Sequence, residues 1–375
     1  MPLPIATVFA DLPDPRVETA NKWHALSDIL TIAVCAVIGG ADGWEQIAEY
    51  GRRKEAFFRR FLPLTNGIPS HDTFYRVFAA LDPDAFAQRF GRWMAAACDG
   101  AGLTPIAIDG KSARRATRAN ATGCLCVVSA WATANRLTLG QVVVPDGTSE
   151  IGVIPDRLRT LDLSGAIVTI DAAGCQVANA EIIREQEGHY LLAVKGNQPT
   201  LRDAVRAVFE AACEADFGGV RFDTHEAVGD AHGRVEERYT TVLYDPVGLP
   251  PNWPGVAAVV LVGREREVRG ANTSTAHYYL TSHAGTAAEL GELVRGHWGI
   301  ENGRHWVLDV AFREDESRTR DLNAGANLAL LRRVAVSLLK RAPAKGSIHT
   351  RRLMAAWDDE FLLKVLHGIP ADNSA

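Results

Sequence analysis

Two apolar runs in this chain end in the same unusual way. Ile167-Val168-Thr169-Ile170 leads directly into Asp171, and Pro105-Ile106-Ala107-Ile108 leads directly into Asp109. Runs of this length and β-branched content predict buried strands, each delivering a carboxylate at its tip. An ionised carboxylate at the end of an apolar strand is costly unless a cation, a metal or a set of donors meets it. One such aspartate alone is commonly a turn residue or a helix N-cap. Two in one chain, one followed by Gly110 and the other by Ala172-Ala173-Gly174, point to a shared site. With a later acidic residue on a helix, they would meet the needs of a two-metal phosphoryl-transfer centre.

Composition limits the alternatives. The chain has 375 residues, of which 47% are hydrophobic, enough for two or three domains with real cores. Its net charge of −5 argues against a uniformly basic nucleic-acid binder. The charge is uneven, however. Residues 51–60 carry +4, residues 110–120 carry +4 through Lys111, Arg114, Arg115 and Arg118, and residues 332–352 carry +7 with no acid between. Discrete basic stretches on an acidic chain fit either a groove for phosphates or ordinary solvated helix faces. The six cysteines form no paired framework, so free thiols and a reducing cytoplasm are expected. The first residues lack the basic and apolar regions of a signal peptide. The longest apolar stretch, Ile29 to Gly40, is too short to span a bilayer and reads as a buried helix.

Residues 1–98 read as an N-terminal helical accessory domain. Ser27-Asp28 is a start signal, Gly39-Gly40 a stop, and Ser70 or Asp72 could cap a helix through Phe74, Val77 and Phe78. From about residue 104 the period changes to that of strands. A strand at 105–109 is followed by two more joined near Asn135-Arg136, then by helix and strand in alternation to 196. That mixed α/β order matches a ribonuclease H-like domain, expected over 99–345. The apolar-polar alternation within 220–285 predicts a β-rich insertion at about 205–285, and 346–375 reads as a C-terminal tail.

The third acid has competitors. On an α-helix His297, Glu301, His305 and Asp309 recur at steps of four and share one face. Glu301 could complete a carboxylate site with Asp109 and Asp171, suited to Mg²⁺. Alternatively His297, Glu301 and His305 could bind zinc as a hydrolase site. The third reading is a plain packed helix held through Trp298, Trp306 and Val307.

Several long motifs settle on one resemblance. They are "GADGWEQIAEYG" at 40–51, "NGIPSHDTFYRVFAALDP" at 66–83, "AIDGKSARR" at 107–115, "GAIVTIDAAGCQ" at 165–176, "YLLAVKGNQPTL" at 190–201, "HGRVEER" at 232–238 and "RGHWGIENGRHWVLDVAFRED" at 295–315. In these the chain resembles a DDE-type insertion-sequence transposase of the H-repeat-associated group. The resemblance implies a ribonuclease H-like catalytic domain with Asp109, Asp171 and Glu301 as the metal-binding triad. It also implies a β insertion between the second and third acids, which lie 130 residues apart. Related transposases carry Tyr, Arg and Lys around the catalytic Glu; here Val294, His297 and Leu308 stand in those places.

The activity so implied is DNA transposition, by Mg²⁺-dependent strand cleavage and strand transfer, with Mn²⁺ as a substitute. The partner would be double-stranded DNA with terminal inverted repeats, bound by a homo-oligomer in the bacterial cytoplasm, at the nucleoid. Lys111, Arg114, Arg115, Lys195, Asn197, His297, Arg318 and Arg320 are the expected DNA contacts. His71 could also face a site, and Trp298 could stack on a base, although an aromatic on a helix is more often core. Two further classes stay open: a catalytically silent or domesticated DNA-binding relative, and the zinc hydrolase.

Overall fold

The computed structural model describes residues 9–367, apart from short segments at 10–11, 19–21, 97–103, 118–123, 135, 146, 232–233 and 269–270. The chain forms two compact units, neither of them one continuous segment. Unit one comprises Met1–Asp99, Gly110–Ser149 and Glu301–Ala375; unit two comprises Gly100–Asp109 and Glu150–Ile300. Strand β1 (Thr104–Thr117) contributes its first half to unit two and its second half to unit one.

Unit one is built on the helix Leu322–Arg341. Residues 324–339 of that helix are all buried. It packs against the helices Leu26–Ile38, His71–Ala80 and Pro83–Ala96 and against strand β3 (Leu137–Val143), which pairs antiparallel with β2 (Cys124–Ala132). Twelve of the thirteen residues of Leu26–Ile38 are buried, which explains its unbroken apolar run. Each buried Leu or Ile there contributes roughly 1.5–3 kcal/mol of transfer free energy. The helix starts at Leu26 without a side-chain cap, and Asp28 is buried rather than capping, while Ser70 does cap the next long helix by accepting from the Thr73 amide. Asn327 ties the central helix to Pro83's entry turn by donating to the carbonyls of Phe78 and Leu81, both at 2.9 Å.

Two expectations for unit one change. The basic run 332–352 is not a surface stripe: Arg332, Arg333 and Arg352 are buried, and Arg333 pairs with buried Glu314 at 2.7 Å. The central helix turns all its faces inward, so its arginines are internal. The segment expected as a tail forms two helices, Ile348–Trp357 and Asp359–His367, which bury Phe361, Leu362, Val365 and Leu366 in the same core.

In unit two the strand order is β1-β4-β5-β9-β8-β7-β6. Strands β4 (Ala166–Ile170) and β5 (His189–Val194) run parallel to β1. The helices Glu150–Arg159 and Val177–Glu185 precede β4 and β5. The β-rich segment is four antiparallel strands, β6 (Phe222–Ala231), β7 (Arg234–Tyr244), β8 (Ala258–Val268) and β9 (Ala271–Thr281). It is continuous with the parallel strands, because β9 pairs with β5 from Leu191↔Thr281 to Val194↔Tyr278. The helix Ala287–Ile300 covers this sheet through Ala287, Leu290 and Val294, against Ile167, Leu191, Val260 and Tyr279. Among the described residues no helix is long and apolar enough to cross a membrane.

Candidate active site

The register of β1 and β4 brings two carboxylates together. The strands pair in parallel from Thr104↔Ala166 to Ile108↔Ile170. Asp109, in β1, and Asp171, the first residue after β4, each directly follow the last paired residues of two adjacent strands, whose spacing is about 4.8 Å. Ile106, Ala107, Ile108 and the whole of β4 are buried, whereas both aspartates are half-buried. β4 ends at Ile170, so Asp171 lies at the C-terminal end of a parallel strand, the usual place for a site in α/β folds, whereas β1 runs on to Thr117, beyond the 105–109 expected, and carries Asp109 within it.

The loop after Asp171 is held on several sides. Asp171 Oδ1 accepts from the Gly174 amide at 3.2 Å. Gly174 has no room for a side chain, since a Cβ would come within 2.3 Å of Ile170 Cγ2. Asn197 Nδ2 donates to the Ala172 carbonyl at 2.6 Å, Gln198 Nε2 to the Cys175 carbonyl at 3.0 Å, and Asn179 Nδ2 to the Gly174 carbonyl at 2.9 Å. Asn197, expected as a DNA contact, is exposed, and its amide also helps to hold the Asp171 loop. Lys195 is exposed, with its ammonium 5.1 Å from the Trp298 ring centroid. The Trp298 indole is itself fixed by donating to the Tyr279 hydroxyl at 3.1 Å.

His297 lies on the same side of the unit. Its Nδ1 is 3.0 Å from Thr169 Oγ1, two residues before Asp171. Burial pushes the imidazole down to about 4; nearby Asp171 opposes that shift and Lys195 adds to it. His297 is therefore neutral near pH 7. Thr169 is the single polar side chain in an otherwise apolar strand, and that is the one sequence signal for this contact.

Unit one holds the remaining candidates. After Ile300 the helix leaves α geometry and makes one π turn over Glu301–His305 before the helix Trp306–Val310. The steps of four therefore do not keep His297, Glu301, His305 and Asp309 on one α-helical face. Single π turns of this kind are frequent at functional sites. The side chains of Glu301 and Arg114 lie outside the described residues. His305 is pushed down to about 3 by burial and by the charges of Arg304, Arg333 and Lys111. Asp309 pairs with Lys111 at 2.8 Å, and Asp315 lies 3.8 Å from the same ammonium. Lys111 is only 8% exposed, so its charge is committed inside the unit rather than offered to a phosphate. Arg115, Arg318 and Arg320 are exposed. Among the described residues no three metal-ligating side chains cluster.

Comparison with known proteins decides the family. Residues 6–94 match the family described as DDE_Tnp_1-associated, and residues 100–338 match the transposase DDE domain. The chain belongs to the DDE transposase family. This transposase-family chain is 34% identical over 366 residues to the H repeat-associated protein YhhI of Escherichia coli K12, covering 95% of this chain and 96% of that one. It is 35% identical over 363 residues to YncI of Escherichia coli O157:H7, covering 95% and 92%. An uncharacterized protein in the dhlA 3′ region of Xanthobacter autotrophicus is 45% identical over 278 residues, 73% of this chain and 93% of that protein. The family membership read from the motifs at 40–51, 165–176 and 295–315 therefore holds.

Proposed function

We propose that this chain is a metal-dependent DNA transposase that cuts and rejoins strands at the ends of an insertion sequence. The observation that carries the reading is the β1–β4 register, which sets Asp109 beside Asp171. Glu301, on the π turn, is the proposed third carboxylate. Strand β1, then the hairpin β2–β3, then β4 and β5 parallel to β1, supports a ribonuclease H-like catalytic domain over 99–345, with residues 1–98 as its accessory domain.

The donor set fits a hard divalent cation, because carboxylate oxygens suit Mg²⁺ or Mn²⁺. When bound there, the metal supplies activation of a water or a 3′ hydroxyl and neutralises charge on the leaving oxygen. The protein's own part is positioning. Asp109 and Asp171 are fixed by their strands, Asn197 and Gly174 hold the loop, and Thr169 orients His297 beside it. His297, neutral, is able to donate from Nε2 to a phosphate oxygen when Nδ1 accepts from Thr169. Lys195, Arg115, Arg318 and Arg320 are the cations exposed for DNA phosphates. The proposed partner is double-stranded DNA with terminal inverted repeats, engaged by a homo-oligomer at the bacterial nucleoid.

The zinc reading has no support in the surroundings of His305, where Arg304, Arg333 and Lys111 would repel a metal cation. The deciding experiment is cleavage, in Mg²⁺, of DNA carrying the repeats that flank the gene. Asp109→Asn and Asp171→Asn should keep the fold and DNA binding while losing cleavage. Wild-type rates in either variant would overturn the triad, and a wild-type chain that binds the repeats without cutting them would mark it as a silent relative.

A further inference from the structure

Unit one contains a cavity of about 600 Å³ that the triad does not use. It is bounded by the N-terminus of the helix Trp44–Arg53, the start of the helix His71–Ala80 and the segment from Arg313 to Arg320. Its lining includes Arg332, which is 2% exposed. Arg332 Nη2 donates to the Asp42 carbonyl at 3.0 Å, and its Nε has no partner among the described residues.

The buried charges around Arg332 do not balance. Glu314 is taken by Arg333 at 2.7 Å, and the Asp42 carboxylate is taken by Arg352 at 3.1 Å. Three buried guanidiniums thus face two carboxylates. Among the described residues no carboxylate pairs with Arg332 directly, although Glu314 and Asp42 are near enough to attract it, and an incompletely neutralised buried cation is costly. Burial accordingly pushes Arg332 below the usual arginine range.

A second set of donors opens on the same space. The helix Trp44–Arg53 has ten residues and begins at Gly43, with no side-chain cap. Its first amides and the positive end of its dipole therefore remain for an anion. Trp44 and Tyr75 line the wall with ring centroids 6.3 Å apart, and Tyr75 is 38% exposed. Rim arginine Arg313 is paired with Glu316, whereas Arg318 and Arg320 are exposed and, among the described residues, have no ion pair; Asp72 and Glu45 also line the cavity.

We propose that this cavity binds one nucleotide of a DNA strand, its phosphate on Arg332 and the Gly43 helix terminus and its base against Trp44 and Tyr75. The phosphate supplies the missing negative charge, and the aromatic wall offers a stacking face that any base can use. The choice of DNA as the source rests on the transposase reading; the phosphate chemistry does not.

The test uses the full chain in EDTA, so that the carboxylate site contributes nothing through metal. Binding of thymidine monophosphate, inorganic phosphate, thymidine and a labelled single-stranded oligonucleotide is measured by calorimetry and fluorescence anisotropy. The monophosphate and the oligonucleotide should bind, phosphate should bind at least about tenfold more weakly, and thymidine should not bind measurably. Phosphate binding as tightly as the monophosphate would overturn the role of Trp44 and Tyr75. Gly43→Asp is the informative variant, because Gly43 has extended backbone and open space around its Cβ position. The new carboxylate would cap the helix and occupy the anion's place, so melting temperature should hold or rise while monophosphate affinity falls about tenfold or more. Wild-type affinity in Gly43→Asp, or no binding of the monophosphate to the wild type, would overturn the proposal. Arg332→Lys gives a second reading: retained but weaker binding supports the proposal, and unchanged affinity overturns it. Asp171→Asn should bind the monophosphate like the wild type, so a wrong triad and a wrong cavity give different results.

Discussion

His297 Nδ1 and Thr169 Oγ1 meet at 3.0 Å, joining the helix Ala287–Ile300 to the strand that Asp171 follows. The contact fixes the imidazole against β4 and makes the strand's one hydroxyl part of the site. Thr169→Val keeps the shape and removes the partner. It should destabilise the chain by about 1–3 kcal/mol in denaturant titration, the cost of leaving a buried polar group unpaired. It should also slow DNA cleavage in Mg²⁺ while leaving DNA affinity nearly unchanged. Unaltered stability and cleavage would show that the pair does no positioning.

Lys111 and Asp309 make the opposite kind of prediction. Lys111 is enclosed and Asp309 is about a third exposed, so Lys111→Met should cost about 1–2 kcal/mol through the Asp309 carboxylate it leaves unpaired. The double variant Lys111→Met with Asp309→Leu should recover most of that loss. A stable Lys111→Met that instead lowered the salt slope of DNA binding would return Lys111 to the DNA surface.

Acid sensitivity follows from His305. Its folded value, about 3, lies below the ordinary 6.5, so the unfolded chain takes up a proton first as pH falls. Stability is unaffected by this group above about 6.5 and declines from there toward 3, by up to about 1.4 kcal/mol per pH unit. His305→Gln should flatten the unfolding free energy measured between pH 6 and 4. A variant with the same slope as the wild type would reject the assignment.

Salt dependence separates exposed from buried cations. Lys195→Ala should lower the slope of log affinity against log salt by about 0.9 for duplex DNA, because one counterion release is lost. Arg333, paired with Glu314 and 1% exposed, releases none. If Lys195→Ala left the slope unchanged, the exposed ammonium would not face DNA.

The site's strand-borne half was legible because the signal is local. An apolar run that stops at an acid states a strand, and for β4 also its end just before Asp171, whereas β1 runs on past Asp109 to Thr117. What could not be read depends on partners distant in sequence. Lys111 looked like a surface cation until Asp309, 198 residues away, closed on it. Arg332, Arg333 and Arg352 looked like a basic stripe because sequence does not say that the central helix is enclosed on every side. The π turn at Glu301–His305 leaves no mark in the spacing of His297, Glu301 and His305, which fits an α-helical face although the helix widens there. Residues 348–367 were short of turn signals but rich in apolar pairs, and only the core they join reveals them as helices.

The shared strand β1 and the split of unit one into three segments have a genetic consequence. A copy of the gene interrupted between codons 97 and 300 encodes the helices around Ile32, Phe78 and Phe86 but not Leu322–Arg341, the helix that covers them. Such a product displays a broad apolar face and is a substrate for cellular proteases rather than a small stable domain. Broken copies would thus be silent at the protein level, leaving no long-lived fragment to compete with an intact copy for the element's ends. Western blotting of a strain expressing residues 1–300 would register this as a short half-life beside that of the full chain.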